Sequence, residues 1–417
     1  MTSLHRRPPR FAVGCAWAAF AALLAGPTWA DPAPAFETLL AQIGLTPSAV
    51  EADALLDAAE ARVHQARVPP NPTLSLEAEN AFGSSPFSGY DKAETTLSFS
   101  QDLELWGRRS ARVGAARADA ATASLRRDQA TVEAAARLAL VYAEAEAAQR
   151  RYDLAEEALA VTIADARAAL ILVEEGREPM LRGIQGETEA AAARAARDEA
   201  GAERDAAFAR LTAVAMSITP LTSIETSLID RTPTSAETPA SATPQVRVAE
   251  AERAAAESRI AVERVRAAPD VTASVGVRRY EAEDATALTF GLSLPLPLFD
   301  RNRGNIEAAQ ADFRAASARL MSARQDAEAD RNAAQARLRA SASRVSAADA
   351  GVTAGEEAYR LSRIGFEAGR ISQLELRSSR AALISARNAA VDARLARVRA
   401  EIDLARLQGR AAFGTSQ

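Results

Sequence analysis

At 417 residues the chain carries a formal net charge of −5, and its hydrophobic content of 48% includes aromatics at only 5%. Acidic and basic side chains are interleaved, which argues against a nucleic-acid surface, and alanine in place of aromatics favours long packed helices over a globular core. One cysteine and two histidines exclude a disulfide framework and a thiolate metal centre, and nearly remove imidazole chemistry.

Residues 1–30 read as a signal peptide: a basic start at His5-Arg6-Arg7 and Arg10, an apolar run from Phe11 to Gly26, and a small-residue cleavage site at Thr28-Trp29-Ala30. Cys15 lies inside that run, which continues well past it, so acylation of Cys15 is the weaker reading. The remaining chain then has no cysteine, and its one histidine, His64, sits on a helical stretch where a structural role is expected rather than ligation.

Residues 31–216 form a first unit of organisation. Ala33 to Pro47 reads as an irregular lead, and Ser48 to Arg67 as a helix with Ser48 as N-cap and Glu51 completing a capping box. Pro69-Pro70-Asn71-Pro72 stops it. Two strands with alternating apolar and polar residues follow, at about 73–80 and 95–105, separated by a Gly/Ser/Pro loop. Arg108 to Glu175 is proline-free and helical in pattern, a length of roughly 100 Å at 1.5 Å per residue. A turn at 176–179 leads to a return helix from about Leu181 to Met216. Residues 217–244, with Pro220, Pro233, Pro239 and Pro244 among Ser and Thr, read as a linker.

Residues 245–417 repeat the order: a helix to Ala267, strands at about 270–278 and 287–298, a helix from Arg303 to about Gly365, a turn at 368–371 and a return helix from Ser372 to about Gln408. Gly107 matches Asp300 and Gly176 matches Gly369 at the same offset of 193, so the chain is a duplicated half-molecule. Strands that are apolar on alternate positions match transmembrane β-strands as well as a small soluble cap. Four strands cannot close a barrel, and lipid tolerates no free sheet edge, so the membrane reading requires several chains to share one barrel.

The chain resembles the TolC-type outer membrane efflux family over nearly all its length beyond the leader. The resemblance rests on Pro70-Asn71-Pro72-Thr73-Leu74, the corners Trp106-Gly107-Arg108 and Phe299-Asp300-Arg301, the paired glycine turns and the duplication. Asn71 to Asn80 and Leu294 to Ile306 are similar to the heavy-metal, CzcC-like branch. The resemblance implies a mainly α fold with transmembrane β: a homotrimer with a twelve-stranded β-barrel and a long periplasmic α-barrel. It implies an exit duct in the outer membrane of a Gram-negative bacterium, joined to a periplasmic adaptor and an inner-membrane RND-type pump. Divalent heavy-metal cations are the expected cargo, drugs the alternative.

The same resemblance assigns adaptor docking to the tips Gly176, Arg177, Gly369 and Arg370. It assigns tunnel constriction to an acidic residue six positions past the tip glycine, a place held by Glu375 in the second repeat but by Arg182 in the first. That departure suggests an Arg182–Glu375 pair in place of a second acidic tier. No nucleophile–base set, metal cluster or phosphate loop emerges, so no enzyme activity, cofactor or nucleic-acid partner is expected. A periplasmic adaptor or scaffold is the competing class, but adaptors carry one helical hairpin where this chain has two.

Overall fold

The computed structural model describes residues 31–231 and 243–413. The leader with Cys15, residues 232–242 and the last four residues lie outside the described residues. In chain order the elements are β1 (Asp31–Ala33), α1 (Phe36–Ala41), a 3-10 turn (Ile43–Leu45), α2 (Pro47–Arg67), β2 (Thr73–Glu79), β3 (Glu94–Leu103), α3 (Arg108–Glu174) and α4 (Met180–Val214). They continue with β4 (Leu221–Ile224), α5 (Pro244–Arg266), β5 (Val271–Tyr280), β6 (Ala285–Ser293), α6 (Arg303–Glu367) and α7 (Gln373–Leu407).

Several local expectations are corrected. The lead before α2 contains β1 and α1, and α2 begins one residue earlier than expected, with Pro47 in its first turn and Thr46 as N-cap; no side-chain cap forms, so the Ser48–Glu51 box is absent. The last strand ends at Ser293, not near 298, because Pro295 and Pro297 have no N–H to donate to a neighbour. The β5–β6 connection is a turn at 281–284, so both strands reach further toward it than the expected bounds of 278 and 287. The segment read as a linker is ordered in its first part: Leu221–Ile224 pairs in parallel with β1.

The described residues fall into two compact units, one formed by 31–35 with Ala148–Ser227 and one by Phe36–Ala147 with the described residues from Leu228 onward. In the first, the later part of α3 and α4 bury Leu159, Ala166, Phe208 and Leu211. Thr212 and Gln149 hold β4 to the two helices: Thr212 Oγ1 accepts from Leu221 N at 3.1 Å, and Gln149 Oε1 accepts from Ile224 N at 2.8 Å.

In the second unit, α6 presents one stripe with a seven-residue period, Leu320, Ala327, Ala334 and Ser341, all buried. This is the spacing of a coiled-coil seam. Leu320 and Ala327 meet Val246 and Ala249 of α5, while Ala334 meets Leu404 and Leu407 of α7. Alanine on the seam lets helix axes approach closely, which accounts for a fold built with so few aromatics.

Large fully buried side chains of this unit, Phe36, Tyr142, Leu228 and Ile229, accompany a turn at 228–231. Phe36 and Tyr142, both fully buried, meet edge to face with centroids 5.8 Å apart. Buried Glu146 accepts from the backbone N–H of Leu228 at 2.7 Å and of Ile229 at 3.1 Å. Arg397 donates to the carbonyls of Ile229 and Arg231 at 2.9 and 2.7 Å, Arg231 pairs with Glu37, and Arg394 bridges Asp230 and Asp349. Burial, reinforced by the charge on Glu146, pushes the Tyr142 hydroxyl up to about 12.

Beside this network, Glu401 is only 6% exposed, with Arg397 Nε at 3.2 Å and no hydrogen bond to either oxygen. Burial pushes its carboxyl from the ordinary 4.5 up to about 7, against the pull of Arg397 and Arg410. A carboxyl that ionises later in the folded than in the unfolded chain makes folding bind protons, so its contribution falls as pH rises from about 4.5 to about 7. Glu401→Gln is therefore expected to match the parent at pH 5 and to be the more stable at pH 8. The shift sets a ceiling of roughly 3 kcal/mol on the gain. Thermal unfolding of the purified assembly at both pH values checks this, and a variant less stable than the parent at pH 8 would refute it.

Candidate functional site

The sheet of the second unit has strand order β2-β3-β5-β6, every neighbour antiparallel. Its register aligns two apolar rows: Leu74, Phe99, Val275 and Phe290, and next to it Leu76, Leu97, Val277 and Leu288. These residues are exposed rather than packed on a core, Phe290 by 78% and Leu74 and Leu76 by 71% each. The opposite face is polar and tied across the strands. Ser75 and Ser98 share a 2.7 Å hydrogen bond, Thr272 donates to Asp102 at 2.6 Å, and Arg278 reaches Thr96 at 2.9 Å and Glu94 at 3.0 Å. A sheet with its apolar face bare and its hydrogen bonds on the other side suits lipid on one side and water on the other. The outer edges, β2 and β6, have no neighbouring strand among the described residues. Among those residues no helix is long and apolar enough to cross a membrane.

Gly276 lies on the polar face, in the row of Ser75, Ser98 and Thr289. A Cβ there would sit 2.7 Å from the Leu97 carbonyl oxygen and 2.8 Å from Thr289 Oγ1.

The two hairpin turns are built alike. In the first, Gly176 N donates to Val173 O at 3.0 Å and Arg177 N to Leu172 O at 2.9 Å. In the second, Gly369 N donates to Phe366 O at 2.9 Å and Arg370 N to Gly365 O at 2.8 Å. Both are Schellman closures, and the glycines take the left-handed φ of 71° and 68° that such closures demand. Arg177 and Arg370 thus occupy the same place, with exposed side chains; Arg177 also pairs with Glu175 at 3.3 Å. Large apolar side chains flank each turn in the open: Met180 and Leu181 at the first, Ile364 and Leu374 at the second.

The helices that leave the turns start differently. Ser372 and Glu375 form a full capping box at α7, with Ser372 N donating to Glu375 Oε2 at 2.7 Å and Glu375 N to Ser372 Oγ at 3.2 Å. At α4 the equivalent residues are Pro179 and Arg182, and no side chain caps the helix. The S-x-x-E signature was present in the sequence and explains why an acid stands at 375. Arg182 belongs to the first unit and Glu375 to the second.

The helical layer of α2, α3, α5 and α6 carries a trough of about 1230 Å³ in the second unit, floored by alanines such as Ala59, Ala123, Ala255 and Ala316. Two pairs of its charges meet between helices, Arg126 with Glu252 at 2.6 Å and Arg259 with Asp119 at 2.7 Å, and arginine outnumbers carboxylate in the rest of the lining. Among the described residues no cluster of His, Cys, Asp or Glu could hold a metal ion.

The model of the family described as outer membrane efflux protein matches residues 45–215 and 240–410, once for each half. The nickel-cobalt-cadmium resistance protein NccC of Alcaligenes xylosoxydans xylosoxydans is 38% identical over 318 residues, 75% of this chain and 72% of the relative. The nickel and cobalt resistance protein CnrC of Cupriavidus metallidurans is 40% identical over 322 residues, 76% of each chain. A solved structure of CusC, described in terms of transmembrane channel formation, superposes with a TM-score of 0.77 over 90% of this chain and 92% of its own, at 18% identity. That last likeness carries the fold alone.

The crowding at Gly276 gives a direct test of the sheet. Gly276→Val is expected to lower the stability of the assembly by about 1–3 kcal/mol through overpacking. Gly351→Ala, inside α6 where an added Cβ meets nothing within 4 Å, should raise it by up to about 1 kcal/mol through helix propensity. Thermal melting of the two purified variants compares them; equal melting points would show that the polar face tolerates bulk at this row.

Proposed function

The chain belongs to the outer membrane efflux protein family, and on that premise we propose that it is the exit duct of a tripartite pump for divalent heavy-metal cations. It is an efflux protein of the outer membrane with a large periplasmic part. The observation that carries the cargo is the identity of about 40% across three quarters of the chain to a relative named for nickel and cobalt resistance.

In this reading three copies join edge to edge, β6 of one against β2 of the next. Their apolar rows meet lipid and their polar rows line a shared pore of twelve strands. The free edges support the joining, since an unpaired N–H or C=O in hydrocarbon costs several kcal/mol. The long helices extend the pore into the periplasm, and the alanine-floored trough is part of its wall. A periplasmic adaptor meets the turns at Gly176, Arg177, Gly369 and Arg370, where exposed apolar side chains surround an arginine. An inner-membrane RND-type pump supplies the energy, so the duct itself needs no catalytic residue and no cofactor.

Glu375 is proposed to line the narrow end as an acidic ring, with Arg182 holding the equivalent place in the first repeat. The capping box gives Glu375 a fixed orientation and spends one of its oxygens on Ser372. A ring of such carboxylates concentrates cations and repels anions.

Deleting the gene is expected to sensitise the host to nickel and cobalt, with tolerance to hydrophobic drugs unchanged, as read by minimal inhibitory concentrations. Sensitivity confined to drugs would sink the metal assignment. Glu375→Gln keeps an acceptor for Ser372 N and should fold normally while lowering the cation preference of the reconstituted pore. Glu375→Lys should reverse it. Reversal potentials in planar bilayers under a salt gradient measure both, and identical potentials in all three proteins would leave Glu375 as a helix cap alone. Charge reversal at the tips, Arg177→Glu with Arg370→Glu, should weaken co-purification with the adaptor while the assembly melts as before.

A further inference from the structure

The apolar face of the sheet does not stop where β6 stops. Beyond Ser293 the chain stays apolar and bare through Leu294, Leu296, Leu298 and Phe299, the last 99% exposed. On the same end of the sheet, set by the pairing of Leu103 with Val271 and of Thr272 with Ser293, Trp106 is 62% exposed at the corner into α3. Immediately past these apolar residues the charges begin.

Most of those charges are already committed. At the first corner Arg108 pairs with Asp270, and Arg109 and Arg112 pair with Glu104. At the second corner the residues alternate. Asp300 accepts from Asn302 N at 2.9 Å, and Asn302 is pinned through its amide to Glu263 at 2.8 Å. Arg301 and Arg303, on either side of Asn302, are exposed and have no ion-pair or hydrogen-bond partner among the described residues. Two exposed guanidinium groups therefore follow the bare Phe299 in the chain, on a backbone held through Asn302. The far end of the sheet has the opposite character: its arginines, Arg278 and Arg279, are spent on Glu79, Glu94, Glu281 and Asp284.

We infer that the corner formed by Phe299, Arg301 and Arg303 binds the headgroup of an anionic phospholipid of the periplasmic leaflet. The arginines take the phosphodiester and Trp106 and Phe299 rest at the glycerol level. Charge complementarity selects this occupant. A guanidinium fork matches phosphate oxygens in a way a hydrated ammonium does not, and an indole or phenyl ring at the boundary of the apolar band prefers the headgroup zone. The periplasmic leaflet is the relevant one because this end of the sheet leads into the long helices. The inference rests on the outer-membrane placement proposed above and adds to it a lipid preference located in the second repeat only.

The test uses the full-length assembly reconstituted into vesicles of phosphatidylcholine, with or without phosphatidylglycerol, and counts the lipids retained after detergent extraction by mass spectrometry. The parent is expected to retain phosphatidylglycerol over phosphatidylcholine by about fivefold for each arginine. Arg301→Gln with Arg303→Gln should abolish that preference. The double lysine variant should keep part of it, and Arg339→Gln with Arg344→Gln, exposed residues far along α6, should keep all of it. An unchanged preference in the glutamine variant overturns the inference, as does equal loss in the α6 control. Displacement of the retained lipid by millimolar inorganic phosphate would reveal a site for soluble anions and overturn it too. Failure of the parent to enter either kind of vesicle would remove the membrane placement along with it, whereas insertion into both without preference removes the headgroup site alone.

Discussion

An unpaired backbone edge cannot be left in hydrocarbon, and most of this molecule follows from that one constraint. The chain supplies four antiparallel strands with a bare apolar face and two open edges. Because β2 and β6 run in opposite directions, β6 of one copy meets β2 of another with the alternation intact, and an even strand number per chain lets any closed ring satisfy every edge. The sheet therefore commits the protein to association before any helix is considered. Each strand pair hands the chain to a long helix at its corner, so in the proposed ring the number of strands also sets the number of long helices that leave it.

Much of this was legible in the sequence because the signals are local. Period-two alternation at Leu74 and Leu76, or at Leu288 and Phe290, marks a strand with one greasy face. The proline-free stretches after Arg108 and Arg303 mark long helices, and their equal offset marks a duplication. Misread features had a competing local signal. Leucines at 294, 296 and 298 continue the alternation, yet Pro295 and Pro297 remove the donors a ladder requires. Ser48 and Glu51 satisfy a capping pattern, but Pro47 fits the first turn of α2 and moves the start forward.

What escaped sequence reasoning is the non-local polar core. Glu146 looks like any solvated glutamate on a helix, and nothing near it announces that it receives the N–H groups of Leu228 and Ile229. Those two residues sit in a proline- and serine-rich neighbourhood whose composition says linker. The same holds for Arg397, which reaches carbonyls far away in sequence, and for Glu401, whose burial no pattern reveals. The candidate site residues were located by resemblance and by symmetry between the halves. The tip closures at Gly176 and Gly369 are duplicates, while Pro179 and Arg182 against Ser372 and Glu375 show that the two return helices have been started by different chemistry.

The pairing of β3 with β5 has a consequence for inheritance. It is the joint between the two repeats, and it is made within one polypeptide, whereas in the proposed ring the joint of β6 with β2 is made between polypeptides. A lesion at the inner joint is confined to the gene product that carries it. A lesion at an outer edge is imposed on every neighbour, so a cell expressing both alleles would hold few rings free of the defect. Edge-strand alleles should therefore act dominantly, and inner-joint alleles whose product fails to assemble should act recessively, although the two joints use the same antiparallel geometry.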